Sequence, residues 1–187
     1  MSQGLSTEVA VVRRSDYRPP DFWIERVELV FQLEREKTRV RARLSGRRNE
    51  AVNPGRRPLV LVGEELELHA LRLNGSDLVI GEFEVTEEGL TIPGVPERFE
   101  LETEVELQPR ANTRLSGLYL SNGIYCTQCE AEGFRRITYF LDRPDVMARY
   151  SVRIEAERAR CPVLLSNGNR VESGALPNGR HFVRYED

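Results

Sequence analysis

Residues 27–44 read VELVFQLEREKTRVRARL, and their spacing decides the fold class. Val27, Leu29, Phe31 and Leu33 recur at every second position. Val40, Ala42 and Leu44 do the same after Thr38, alternating with Arg39, Arg41 and Arg43. A period of two puts the apolar side chains on one face of a strand and the charged ones on the other. Glu34-Arg35-Glu36-Lys37 lies between the two runs as a polar connection, so the stretch predicts a hairpin with one buried face.

Working outward, Tyr17-Arg18-Pro19-Pro20 is too proline-rich for a helix or a central strand, and residues 1–16 read as a loose tail. Residues 45–57 form a polar loop broken at Pro54-Gly55. Further strands are predicted over 58–62, 65–73, 77–85, 90–92, 99–107, 137–141, 148–156, 162–166 and 181–185. One short helical turn is expected at 144–148, with proline at a permitted early position. Asn-Gly pairs at 74–75, 122–123, 167–168 and 178–179 are each flanked by apolar residues. Asn-Gly accepts the positive φ angles of a type I′ turn, the usual hairpin connection. The pattern is all-β: one mainly antiparallel domain over residues 17–187.

At 187 residues the chain can bury roughly 70% of its unfolded surface in one core. A net charge of -3 gives no reason to expect nucleic acid or a membrane surface as partner. No apolar run nears the ~20 residues of a membrane span, and the N-terminus lacks the order of a secretory signal, so a cytoplasmic setting is expected. Glu100, Glu102, Glu104 and Glu106 form an acidic stripe to set against the arginines at 39–43. Both read as solvated sheet faces, able to pair across strands, ahead of a ligand surface.

Little of the chain has the makings of catalysis. Cys126-Thr127-Gln128-Cys129 is a CxxC, but a redox dithiol needs a βαβ setting and a zinc site needs four ligands. With Cys161, these thiols read first as structural, with metal and redox roles as alternatives. His69 and His181 are expected to be structural or surface residues, and no nucleophile elbow or Gly-rich phosphate loop is present. The least regular segment, 117–150, is the best place for a binding site, because irregular connections carry function on a rigid scaffold. Within it, Gln128 and Glu130 are two apart and, in extended backbone, face one side while Cys129 faces packing. A carboxylate beside an amide oxygen suits an ammonium group, although plain surface polarity explains the same residues.

The same segment resembles the N-terminal domain of the zinc aminopeptidases of the aminopeptidase N family, the bacterial members in particular. The likeness is carried by Thr127-Gln128-Cys129-Glu130, Gly133-Phe134-Arg135-Arg136, the run from Tyr139 to Asp145 (YFLDRPD) and that from Leu164 to Asn169 (LLSNGN). It extends more weakly back through Ala111-Asn112-Thr113 and Leu118-Tyr119 to Tyr17-Arg18-Pro19-Pro20-Asp21. The resemblance implies a saddle-shaped, β-sandwich-like first domain that covers a catalytic zinc domain of the same polypeptide. It also implies that Gln128 and Glu130 help hold the free amine of peptide substrates, and that Asp142-Arg143-Pro144-Asp145 fixes the path of the loop. The family's HExxH zinc motif and Gly-x-Met-Glu-Asn motif are not in this sequence. Zinc is therefore expected in the parent enzyme and none on this chain, which alone should be inactive and should expose an apolar docking patch. A free-standing β-sandwich binding or scaffold module is the competing expectation, followed by a metal or redox protein built on Cys126, Cys129 and Cys161.

Overall fold

A computed structural model describes residues 13–187. The hairpin read from residues 27–44 is the centre of the fold. Strand β1 (Phe22–Leu33) pairs antiparallel with β2 (Thr38–Arg48), with Val27 opposite Leu44, Leu29 opposite Ala42 and Phe31 opposite Val40. β2 pairs in turn with β8 (Arg98–Leu107), which pairs with β4 (Glu67–Leu73) and, beyond it, the short β5 (Ser76–Asp77). On the other side β1 takes β11 (Arg149–Glu157) as its one parallel neighbour. β13 (Arg180–Glu186) and β12 (Asn169–Ala175) complete the eight strands.

A smaller sheet of β3 (Leu59–Val62), β7 (Gly89–Ile92) and β6 (Glu84–Val85) supplies the second layer. Leu59, Leu61, Leu90 and Ile92 from it join Val27, Val40, Leu44, Leu101 and Val105 from the large sheet in one buried cluster. The domain is all-β and sandwich-like. On the opposite face of the large sheet the charge stripes meet: Arg39 reaches Glu104 at 3.2 Å and Arg43 reaches Glu102 at 3.4 Å. Such exposed cross-strand pairs are worth about 0.2–1 kcal/mol each.

Three of the four Asn-Gly pairs turn hairpins with both residues at positive φ: 74–75 joins β4 to β5, 122–123 joins β9 (Gly117–Ser121) to β10 (Ile124–Gln128), and 178–179 joins β12 to β13. At 167–168 only Gly168 is left-handed, and the pair leads from a loop into β12.

Four expectations are corrected. The strand at 77–85 is broken, because Gly81 at φ 101 and a Val79–Glu82 turn carry the chain from the large sheet to the small one. Residues 137–141 form no strand: Ile137 to Phe140 are all buried, so no two-faced alternation exists, and a single bridge joins Phe140 to Val62. Residues 162–166 form none either, since Tyr185 Oη donates to the Leu164 carbonyl where a strand partner would stand. The 144–148 stretch is a hydrogen-bonded turn closed by Val146 N–H on the Arg143 carbonyl; 3-10 turns occur at Arg14–Asp16 and Phe134–Arg136. Of the tail expected over 1–16, the first twelve residues lie outside the described chain.

Candidate binding groove

The irregular segment lies where the large sheet leaves its inner face open. Tyr125 Oη donates to the Glu34 carbonyl at 2.6 Å and so ties the β9–β10 hairpin to the β1–β2 turn. Thr138, wholly buried, bonds Thr103 of β8 at 3.0 Å and fixes the downstream half. Beside it the Tyr139 ring lies against Gly63, where a Cβ would stand 2.4 Å from the ring carbons. Between these anchors runs a groove of about 1010 Å³. Its floor includes Leu29 and Phe31 of β1, and its walls include Ile124, Gln128, Glu130 and Leu165.

Gln128 and Glu130 line this groove together, and both are exposed. Gln128 Nε2 donates to the Glu130 carbonyl at 3.2 Å, which leaves the amide oxygen as the acceptor available to a ligand. The Glu130–Ala131 peptide is cis. Among the described residues the Glu130 carboxylate enters no salt bridge, whereas Glu132, two residues on, is paired with Arg135. Cys129, between the two, packs against the core, and burial together with the Asp142 carboxylate pushes its thiol up to about 11. Burial likewise pushes the Tyr150 phenol in the same groove up to about 12.

Asp142 was legible only as part of a resembling segment. It is buried at the base of the Glu130 loop and accepts the Gly133 and Arg135 amides and Arg135 Nε. Arg143 pairs with Asp145 at 2.7 Å, and Tyr17 Oη donates to Asp145 at 2.9 Å, pinning the start of the described chain to this loop. Periodicity could not have found these contacts, because they are polar bonds made within an irregular loop, and one of them, Tyr17 to Asp145, joins residues far apart in the sequence.

A second hollow of about 1030 Å³ is rimmed by Glu64, Glu65 and Glu67. Its buried Arg136 is clamped by Glu65 at 2.9 and 3.1 Å and by Glu64 at 3.1 Å, so the Arg136 charge is matched within the domain. The one metal-capable cluster among the described residues is Glu67, His69 and Glu106, and it contains no cysteine. Lys37 already sits on Glu106, and none of the three residues borders the Gln128–Glu130 groove. His181 is buried with Nε2 against the Cys161 carbonyl at 2.7 Å, a structural position. The three cysteines are free, and burial raises the Cys161 thiol as well, which opposes thiolate chemistry there.

Exposed apolar side chains border the same groove. Ile124, Val163 and Leu165 each expose about two-thirds or more of their surface on its rim. Among the described residues no helix is long and apolar enough to cross a membrane.

A family model described as the peptidase M1 N-terminal domain matches residues 59–187. The aminopeptidase N of Caulobacter vibrioides is 54% identical over 176 residues, covering 94% of this chain and 20% of that protein. That of Escherichia coli is 48% identical over 174 residues, covering 93% and 19%. The chain thus spans about a fifth of the length of these relatives. Among solved structures, Legionella pneumophila aminopeptidase A in complex with aspartic acid superposes with a TM-score of 0.87 at 37% identity, over 92% of this chain and 20% of that one. An M1 zinc metallopeptidase of Deinococcus radiodurans shares the fold, with a TM-score of 0.71 at 14% identity over 89% of this chain and 39% of that one.

Proposed function

The chain belongs to the peptidase M1 N-terminal domain family, and from that premise we propose that it serves as the amine-recognising first domain of a zinc aminopeptidase. The supporting observation is the Glu130 carboxylate, exposed on the wall of an apolar groove and free of salt bridges among the described residues. A peptide's N-terminal ammonium has three N–H donors. The Glu130 carboxylate accepts from it and Gln128 Oε1 accepts a second bond, and covering of this exposed pair by a catalytic domain would exclude water and strengthen both. A peptide blocked at its N-terminus offers Glu130 no charge and is rejected.

Zinc in such an enzyme supplies Lewis-acid polarisation of the scissile carbonyl and activation of a water. This chain's residues do not fit that ion. Its two histidines, His69 and His181, cannot form the i, i+4 pair of HExxH, and in the Glu67–His69–Glu106 cluster the Glu106 carboxylate is already paired with Lys37. Its part is binding and orientation, with hydrolysis assigned to a catalytic domain of the same polypeptide. The rim of Ile124, Val163 and Leu165 suits docking against that domain. A cytoplasmic site of action accords with the same reading.

The test compares two peptides that differ only in acetylation of the N-terminus, using the longer polypeptide that contains this domain. Release of the first residue from the free peptide alone is the expected result. Equal cleavage of both overturns amine recognition.

A further inference from the structure

The loop that displays Glu130 is held from beneath by one oxygen atom. Asp142 Oδ2 accepts three hydrogen bonds, from Gly133 N–H at 2.9 Å, Arg135 N–H at 3.2 Å and Arg135 Nε at 2.6 Å. Arg135 answers through Nη2, which donates to the Asp142 carbonyl at 3.3 Å and to the Glu132 carboxylate. Asp142 is buried, so these are charge-assisted bonds in a low dielectric.

The geometry carries that constraint to Glu130. At Gly133, φ is 150, and a Cβ there would stand 3.1 Å from both Cys129 Cα and the Gln128 carbonyl oxygen. The chain therefore closes on itself between Gln128 and Gly133, with Glu130 on the closed turn. Among the described residues the Glu130 side chain has no ion pair of its own to orient it; the tie at this residue is the bond its carbonyl accepts from Gln128. Its direction is set by the turn, and the turn is set by Asp142.

We propose that Asp142 is a positioning residue for amine recognition, fixing the 128–135 turn so that Glu130 and Gln128 converge on one ammonium. This rests on the reading of Gln128 and Glu130 as the amine site. Around metal ligands, partners that orient the binding side chain commonly change affinity or activity by about 10- to 100-fold when removed, and the same scale is expected for this carboxylate. An interaction that works wholly through another residue is non-additive with loss of that residue.

The experiment is a double-mutant cycle in the polypeptide that carries this domain, reading kcat and KM on a peptide with a free N-terminus. Glu130→Ala, Asp142→Ala and the double variant are compared, with Asp142→Asn as the conservative control because its amide oxygen can still accept. The expected result is a loss of at least tenfold in kcat/KM for Asp142→Ala, substantial rescue by Asp142→Asn, and a double variant within about twofold of Glu130→Ala. Amide exchange should speed up at Gly133 and Arg135 ahead of the core strands. If Glu130→Ala is impaired while Asp142→Ala behaves as wild type, or if the two losses add in full, the positioning role is overturned and the amine site stands. If Glu130→Ala itself has wild-type kinetics, both fall. Should Asp142→Ala not fold, the same cycle run with Arg135→Ala decides, full additivity with Glu130→Ala again overturning the role.

Discussion

Thr103 Oγ1 and Thr138 Oγ1 lie 3.0 Å apart, both in buried residues, and their hydrogen bond joins strand β8 to the segment that forms one side of the groove. Removing one hydroxyl leaves the other buried without that partner, which costs about 1–3 kcal/mol. Thr103→Val and Thr138→Val should therefore each destabilise the domain. The double variant should recover most of that loss, because two apolar groups of the same shape replace the pair. Urea unfolding of the three variants checks this; additive losses would show that the bond is not the link.

Gly63→Ala should destabilise by about 1–3 kcal/mol through overpacking. The added methyl would stand 2.4 Å from the Tyr139 ring, which is buried and cannot swing away. Thermal unfolding should shift down by about 2–4 °C per kcal/mol for a chain of this size. An unchanged midpoint would mean that the 137–141 segment repacks freely.

Acid stability should depend on Glu65. Hydrogen bonding from the Arg136 guanidinium, and then its charge, hold the Glu65 carboxyl below its ordinary value of 4.5. A group with a depressed folded pKa adds stability above its unfolded value and loses it as pH falls through the folded one. The contribution should be complete above about pH 4.5 and fade below it. Glu65→Gln should flatten the loss of stability in that window; a parallel acid-unfolding curve would deny the linkage.

Cys129 should resist alkylation. With its thiol pushed up to about 11 from an ordinary 9.0, the thiolate fraction at pH 8 is about a hundredfold lower than in the unfolded chain. Mass spectrometry after a timed iodoacetamide pulse should find Cys129 labelled that much more slowly natively than in denaturant. Equal rates would reopen a reactive role for the CxxC.

Much of the fold was legible because most of the strands obey one local rule. Val27 to Leu44 alternate, and the alternation is the sheet. That rule failed where both faces are buried, as from Ile137 to Phe140, and where side chains take the place of a strand partner, as at Leu164. It also missed β12, whose residues are nearly all exposed and so carry no apolar period. Gln128 and Glu130 stood out as a spacing and, through the resemblance, as a candidate pair. Asp142 was marked only through the resemblance, as part of a segment that fixes the loop's path; the three bonds by which it does so form only after the loop has closed and leave no signature in spacing.

The decisive measurement is kcat/KM on a peptide with a free N-terminus for Glu130→Ala against wild type, in the polypeptide that carries this domain. Truncating one side of a charge pair that becomes desolvated in the substrate complex costs about 2–5 kcal/mol, so a fall of about thirtyfold or more is expected. Substrate binding should also weaken as pH rises through about 8, where a peptide α-amine loses its proton. A Glu130→Ala enzyme with wild-type kcat/KM, correctly folded, would contradict the assignment of this groove to the substrate's ammonium.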